Sequence, residues 1–425
     1  MQSCFTLLLL LYGCCLQAQN FAYDIKLKTV TFSGDGMYLL RKDNGSGAIS
    51  NTTNWTNDGL ITPAAFASGT YLEAKAGFEF TCANAPSVVF IRGWAPDSIA
   101  FPAIEVLVDA GSITYPSTAA TLPFTFHKVR YHENFQIKWE ISFNNITWYP
   151  AGTSGSPVYV TFEQAIAEGP DPWSSYKYFL SLVHLACKNA DGATSIDQVI
   201  DLVWEDFTDH SVLNVAGEPL HYYKDIFFLY GDIPSLLKYK DGSCFSWTQF
   251  FLAMLKINGF MQPNNYLSLD PGFLITDCGI VDGFLAKTWT FYTPTGNCTD
   301  LPYINVWDNP AETDTSYLFQ YEDVHDEIGV TGQTALNPAS WFFNHQVAVV
   351  NNKIYDASYG VVYETTEELK AGALSGWWHF DSGTEAAIGV DVNNDGDLDT
   401  NPWYNYIIMS PDLDLTTLDT YYDTW

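Results

Sequence analysis

Three residues far apart in the chain have side chains that together could do covalent chemistry: Cys244, His345 and Asp356. A thiol attacks a carbonyl as the thiolate, so it needs surroundings that favour an anion. Cys244 opens the segment Asp241-Gly-Ser-Cys-Phe-Ser-Trp-Thr-Gln-Phe-Phe-Leu-Ala-Met-Leu-Lys-Ile-Asn-Gly259. Its turn residues and a capping Ser243 predict a helix start, and Gly259 suits the position just past a helix end. In that first turn the positive end of the aligned peptide dipoles faces a developing sulfur anion. The Cys244 N–H can also bind an oxyanion, and Gly242 lets the backbone approach a substrate closely.

The other two residues sit on a predicted hairpin. The alternating runs His345-Gln-Val-Ala-Val-Val350 and Lys353-Ile-Tyr-Asp356 are joined by Asn351-Asn352, a two-residue turn signal. With that turn Val350 pairs with Lys353, and Asp356 falls opposite Val347. His345 then shares a face with Asp356 as its diagonal neighbour, at roughly 7–8 Å. A carboxylate so placed can fix the tautomer of an imidazole and stabilise the imidazolium. A slip of one residue would separate them onto opposite faces. Taken alone, the hairpin reads rather as an edge ribbon carrying a chance polar pair.

The elements that must position these side chains follow from periodicity. Tyr176, Phe179, Leu180, Val183 and Cys187 recur at helical spacing, and Ser195 can cap a second helix with the stripe Ile196, Val199, Ile200, Val203, Trp204 and Phe207. Both stripes, Cys187 included, read as core. The Cys244 helix shows a stripe of Trp247, Phe250, Phe251, Met254 and Leu255. The Pro-, Asn- and Asp-rich stretch that follows predicts a loop-rich insertion over about 260–340, bordering the site. Upstream, alternating runs such as Ser87-Val-Val-Phe-Ile-Arg92 and Phe135-Gln-Ile-Lys-Trp-Glu-Ile-Ser142 lie between Gly/Asn/Ser-rich turns, the pattern of a β-sandwich of Ig-like type. His127 and His132 are expected there as strand surface residues. The expected fold class is multi-domain: an all-β sandwich over 20–162, an α+β domain over 165–361, and an Asp- and aromatic-rich region over 362–425.

Together, Gly242-Ser-Cys244 with its helix, Asn344-His345-Gln-Val-Ala-Val-Val350 and Lys353-Ile-Tyr-Asp-Ala-Ser-Tyr-Gly360 resemble the transglutaminase-like superfamily, with its papain-like Cys-His-Asp order. The resemblance covers roughly 170–361. It implies Cys244 as nucleophile, His345 as general base and acid, and Asp356 as the residue that orients it. The 260–340 stretch is longer than the family core needs, and Ala357 stands where a proline often follows the Asp. No side-chain oxyanion donor is assigned; Trp204 and Tyr223 are candidates, with Trp204 better read as core. The activity implied is cysteine-dependent acyl transfer on amide bonds of a protein or peptide substrate, as a protease, amidase or transglutaminase. The alternative is a non-catalytic extracellular adhesion or binding protein. Catalysis of this kind requires no cofactor.

Other features bound the setting. Asp391-Val-Asn-Asn-Asp-Gly-Asp-Leu-Asp399 resembles the first nine positions of an EF-hand-type loop, with Asp391, Asn393, Asp395 and Asp399 as ligands of a structural calcium; Pro402 stands where the bidentate Glu belongs, and a solvated Asp/Asn turn is the competing reading. No Cys or His pair has close zinc-ligand spacing. Residues 1–19, with a short leucine run, read as a secretory signal peptide, although no Lys or Arg precedes the run. Leu11-Tyr12-Gly13-Cys14 loosely resembles a lipoprotein acylation site, with Tyr12 a poor match, so secretion is expected, lipid anchoring is left as an open alternative, and no transmembrane segment is expected. Beyond the leader, Cys82, Cys187, Cys244, Cys278 and Cys298 are odd in number, which implies one unpaired thiol if the others are bridged. Cys278 and Cys298 are close enough for a local disulfide. A net charge of −31 repels polyanions, which excludes nucleic acid and anionic membranes as natural partners.

Overall fold

The computed structural model describes residues 23–166 (except 46 and 50–52), 178–222, 231–270 (except 264), 332–334 and 344–374, together with the backbone of further short strands between 275 and 423. The leader, Cys278, Cys298, Tyr223 and the Asp391–Asp399 loop lie outside the described residues.

In the first region apolar and polar residues alternate with period two, so each strand can bury one face. Seven long strands form: β1 (Tyr23–Ser33), β2 (Glu73–Cys82), β3 (Val88–Trp94), β4 (Ala100–Asp109), β5 (Ser112–Ala119), β6 (Arg130–Ser142) and β7 (Tyr149–Thr161). With three short strands they make one sheet in the order Met37–Tyr38, Ala64–Ala67, β7, β6, β3, β4, β5, β2, β1, Trp55–Thr56. All pairings are antiparallel except Ala64–Ala67 with β7. Strand β4 belongs to both halves, pairing β3 along one stretch and β5 along another, so the sheet folds over a common core. Trp139 of β6 sits at its centre, with ring centroids 6.0, 5.7 and 5.2 Å from Phe78, Phe101 and Tyr115. His132 lies on β6 and bonds Asp97, whereas His127 occupies a left-handed turn residue (φ 48°) and not a strand.

The helices begin where the strands end. Helices α1 (Leu180–Lys188) and α2 (Ile196–Thr208) bury Val183, Cys187, Val199, Ile200, Val203, Trp204 and Phe207 of the expected stripes, and Leu180 and Ile196 are partly buried. Tyr176 lies outside the described residues. Ser195 caps α2 by accepting from Gln198 N–H at 3.3 Å. Helix α3 (Ile233–Tyr239) leads into α4 (Cys244–Ile257). The two regions are stitched by buried polar residues. Asn258 accepts from Phe162 N–H (3.0 Å) at the end of β7 and donates to Ala186 O of α1 (3.0 Å) and to Met254 O of α4 (3.2 Å).

A five-stranded sheet completes the second region. Its strands are β10 (Tyr266–Asp270), β11 (His345–Val350), β12 (Lys353–Asp356), β13 (Val361–Tyr363) and β14 (Asp419–Asp423), ordered β13-β12-β11-β10-β14. A two-strand parallel pair, β8 (His221–Tyr222) with β9 (Asp241–Gly242), lies just upstream of Cys244.

Two expectations change here. The 260–340 stretch is not simply loop: β10 pairs directly with the His345 strand, Leu269 opposite His345. The tail is not separate from that sheet either, since β14 pairs with β10. Both strands join across long sequence separations that no local pattern announces. The result is a β-rich, multi-domain fold with five described helices.

Candidate active site

Cys244 is set by what precedes it. Lys240 ends α3 in a left-handed conformation (φ 61°), and the chain turns into β9. Ser243 holds extended geometry at the N-cap, but its side chain makes no capping bond; instead Ser246 Oγ donates back to Ser243 O at 2.9 Å. Packing inside the protein gives Gly242 a reason of its own to lack a side chain. A Cβ there would lie 2.4 Å from Ser246 Oγ and 3.0 Å from Leu236, so the protein itself fills the space.

Helix α4 is buried on nearly all sides, not along one stripe: Ser246, Thr248 and Gln249 are buried with its aromatics. Helices α1, α2 and α3 and strand β11 surround it. Two of its side chains tie its first turns to the neighbours. Trp247 Nε1 donates to His221 O (3.1 Å), and Thr248 Oγ1 donates to Gln346 O (2.8 Å). Thr248 is one helical turn beyond Cys244 and Gln346 is next to His345. Trp204 packs with Phe207, Phe251 and Tyr355 at 4.8–5.2 Å between centroids, the core position expected for it.

The hairpin has the expected register, Val350 opposite Lys353 and Ala348 opposite Tyr355. Asn351 and Asn352 take φ of 50° and 64°, the left-handed pair that a tight primed turn requires. His345 Nε2 lies 2.6 Å from Asp356 Oδ2, and neither side chain has any exposure. Asp356 Oδ1 accepts from the N–H groups of Ser358 (3.1 Å) and Tyr359 (3.3 Å), which holds the carboxylate in place. The turn behind it needs Gly360: at φ +69° a Cβ would lie 2.2 Å from Phe207 O.

Cys244 stands near enough to His345 to act on the imidazole's protonation. Burial by itself would push the imidazole toward its neutral form; the charge and hydrogen bond of Asp356, with Cys244 beside it, outweigh that and raise the pKa. The structure thus brings Asp356 into hydrogen-bond contact with His345 and sets Cys244 near the same imidazole. Cys244 is 4% exposed, so the sulfur lies just under the surface.

Several supporting residues carried no sequence signal of their own. Thr248 could have been noticed as a polar residue four positions after Cys244 in an apolar helix. Gln333 and Tyr359 could not: the Tyr359 ring lies 5.8 Å from that of His345 because of the turn at 356–360. Cys82 and Cys187 are unbridged like Cys244, and burial pushes the Cys187 thiol up, leaving it a core residue. Among the described residues no group of three or more His, Cys, Asp and Glu side chains could hold a metal, and no helix is long and apolar enough to cross a membrane. No family model matches the chain, and no curated protein matches it either.

Proposed function

We propose that the chain is a cysteine-dependent acyl-transfer enzyme of the transglutaminase-like type, acting on amide bonds of extracytoplasmic proteins or peptides. The single observation that carries the reading is the wholly buried His345–Asp356 hydrogen bond with Cys244 beside the imidazole. A raised imidazole pKa favours His345 as imidazolium, the partner that a thiolate needs.

The chemistry then runs in two halves. The Cys244 sulfur bonds to the carbonyl carbon, and the π pair moves to oxygen, where the N–H at the start of α4 can receive the oxyanion. The tetrahedral anion collapses, the C–N bond breaks, and the leaving amine takes the proton from His345. A thioester remains. Water, or a lysine-type amine, attacks it, gives its proton to His345, and expels the thiolate. The same side chains serve hydrolysis and transamidation; secretion into water favours hydrolysis. Asp356 holds the ring in place throughout.

Burial of all three residues favours a second reading, a binding scaffold whose closed site does no chemistry. Iodoacetamide separates the two. The enzyme reading expects rapid alkylation of Cys244 near neutral pH, slowed roughly 100-fold or more in His345→Ala. A slow rate, equal in both proteins, refutes it. Peptide-library cleavage against amine incorporation then distinguishes protease from transglutaminase.

A further inference from the structure

We infer that Gln333 is a positioning residue of the thiol site, supplied by the long segment between the Cys244 helix and the His345 strand and joining the cysteine side of the site to the aspartate side; this rests on the function proposed above.

The backbone of Gln333 bridges two elements that otherwise meet through the Tyr222 and Tyr359 rings, 5.3 Å apart. Its N–H donates to Ser358 O (2.9 Å), and its carbonyl accepts from Tyr222 N–H (2.9 Å). Ser358 is the residue whose own N–H holds Asp356 Oδ1. Tyr222 pairs with Gly242, two residues before Cys244, and its neighbour His221 accepts the Trp247 indole N–H. One residue thus touches both ends of the triad's support without touching the triad.

The side chain anchors the bridge. Gln333 has no exposure, and its Nε2 donates to Phe207 O (2.8 Å), the same carbonyl that forbids a side chain at Gly360. Thr334 extends the clamp: its carbonyl accepts from His221 Nδ1 (2.9 Å), and its hydroxyl donates to His210 O (3.3 Å). His210 Nε2 in turn donates to Tyr359 O (2.8 Å). Gln333 Oε1 is buried with no hydrogen-bond partner among the described residues. A merely space-filling position would be served better by an apolar residue, which would leave no acceptor unmatched. The amide is kept for its donor.

The mechanism is geometric. Loss of the Phe207 bond frees the bridge, and the Asp356 turn and the start of α4 move independently. Small errors in such alignment are expensive in rate. The test uses the full chain as wild type, His345→Ala and Gln333→Met, which keeps length and loses the donor, with Cys244 alkylation followed against pH by mapping the adduct. The Gln333 variant should react roughly 10- to 100-fold more slowly near pH 7. The gap should close toward alkaline pH, where hydroxide and not His345 takes the thiol proton. A variant profile that superimposes on wild type overturns the inference, whatever its thermal stability. Native-state amide exchange of the wild type gives a second measure that needs no variant. Tyr222, Gln333 and Ser358 should open as one unit; independent opening of Tyr222 and Ser358 overturns the bridge. If wild type and His345→Ala alkylate alike, the thiol reading fails, while the exchange data still judge the bridge.

Discussion

The two regions bury aromatic side chains in the same way and treat charge in opposite ways. In the β1–β7 region the buried polar residues are uncharged (Asn54, Ser142, Ser154, Ser156 and Thr161), and the centre is Trp139 among other rings. In the second region Asp241, His345, Asp356 and Lys370 are buried along with Ser246, Thr248 and Gln249. An apolar core loses stability in proportion to volume removed. A core built round an ion pair is sensitive to the loss of one partner, because the other is left charged and out of water. The difference shows what the second region is organised to hold.

The comparison can be broken most strongly at its two centres. Trp139→Ala should cost about 3–5 kcal/mol through a cavity. Cys244 alkylation measured at a temperature where the variant stays folded should be unchanged. Asp356→Ala removes fewer atoms yet should cost about 3–5 kcal/mol by stranding His345, and it should also slow Cys244 alkylation. Chemical denaturation of both variants checks the pair; equal behaviour in the alkylation assay would erase the distinction between the regions.

A smaller effect is expected at Thr248→Val, which keeps shape but removes the donor to Gln346 O. The cost should be about 1–3 kcal/mol for the carbonyl left buried, with Cys244 alkylation slowed because α4 and β11 lose a tie beside the reacting groups. Restoration by Thr248→Ser would assign the effect to the hydroxyl.

The smallest is a pH effect. His345 has a raised pKa in the folded protein, so its contribution to stability is complete below the ordinary imidazole value of about 6.5 and is lost as pH climbs through the raised one. Wild-type stability should therefore decline across the alkaline range, and His345→Ala should show a flatter profile there in pH-dependent thermal melts.

Much of the site was legible in the chain itself. The helix start at Cys244 and the register of the Asn351-Asn352 hairpin depend on contacts within a few residues, so turn chemistry and alternation announce them. The diagonal placement of His345 and Asp356 follows from the same register. Ser243 stands at the N-cap as its type suggests, without the side-chain capping bond. The contacts round Gly242 and the all-round burial of α4 lay beyond the sequence because both depend on neighbours that a single periodic stripe does not describe.

What the amino-acid order by itself determined is local: where strands alternate, where helices begin, and which turn joins His345 to Asp356. Tertiary structure alone decided that β10 pairs with the His345 strand, that β14 pairs with β10, and that Gln333 spans from Tyr222 to Ser358. Those links run through backbone N–H and C=O groups that every residue type carries alike. No side-chain pattern can mark them in advance; only the closed chain brings them within reach.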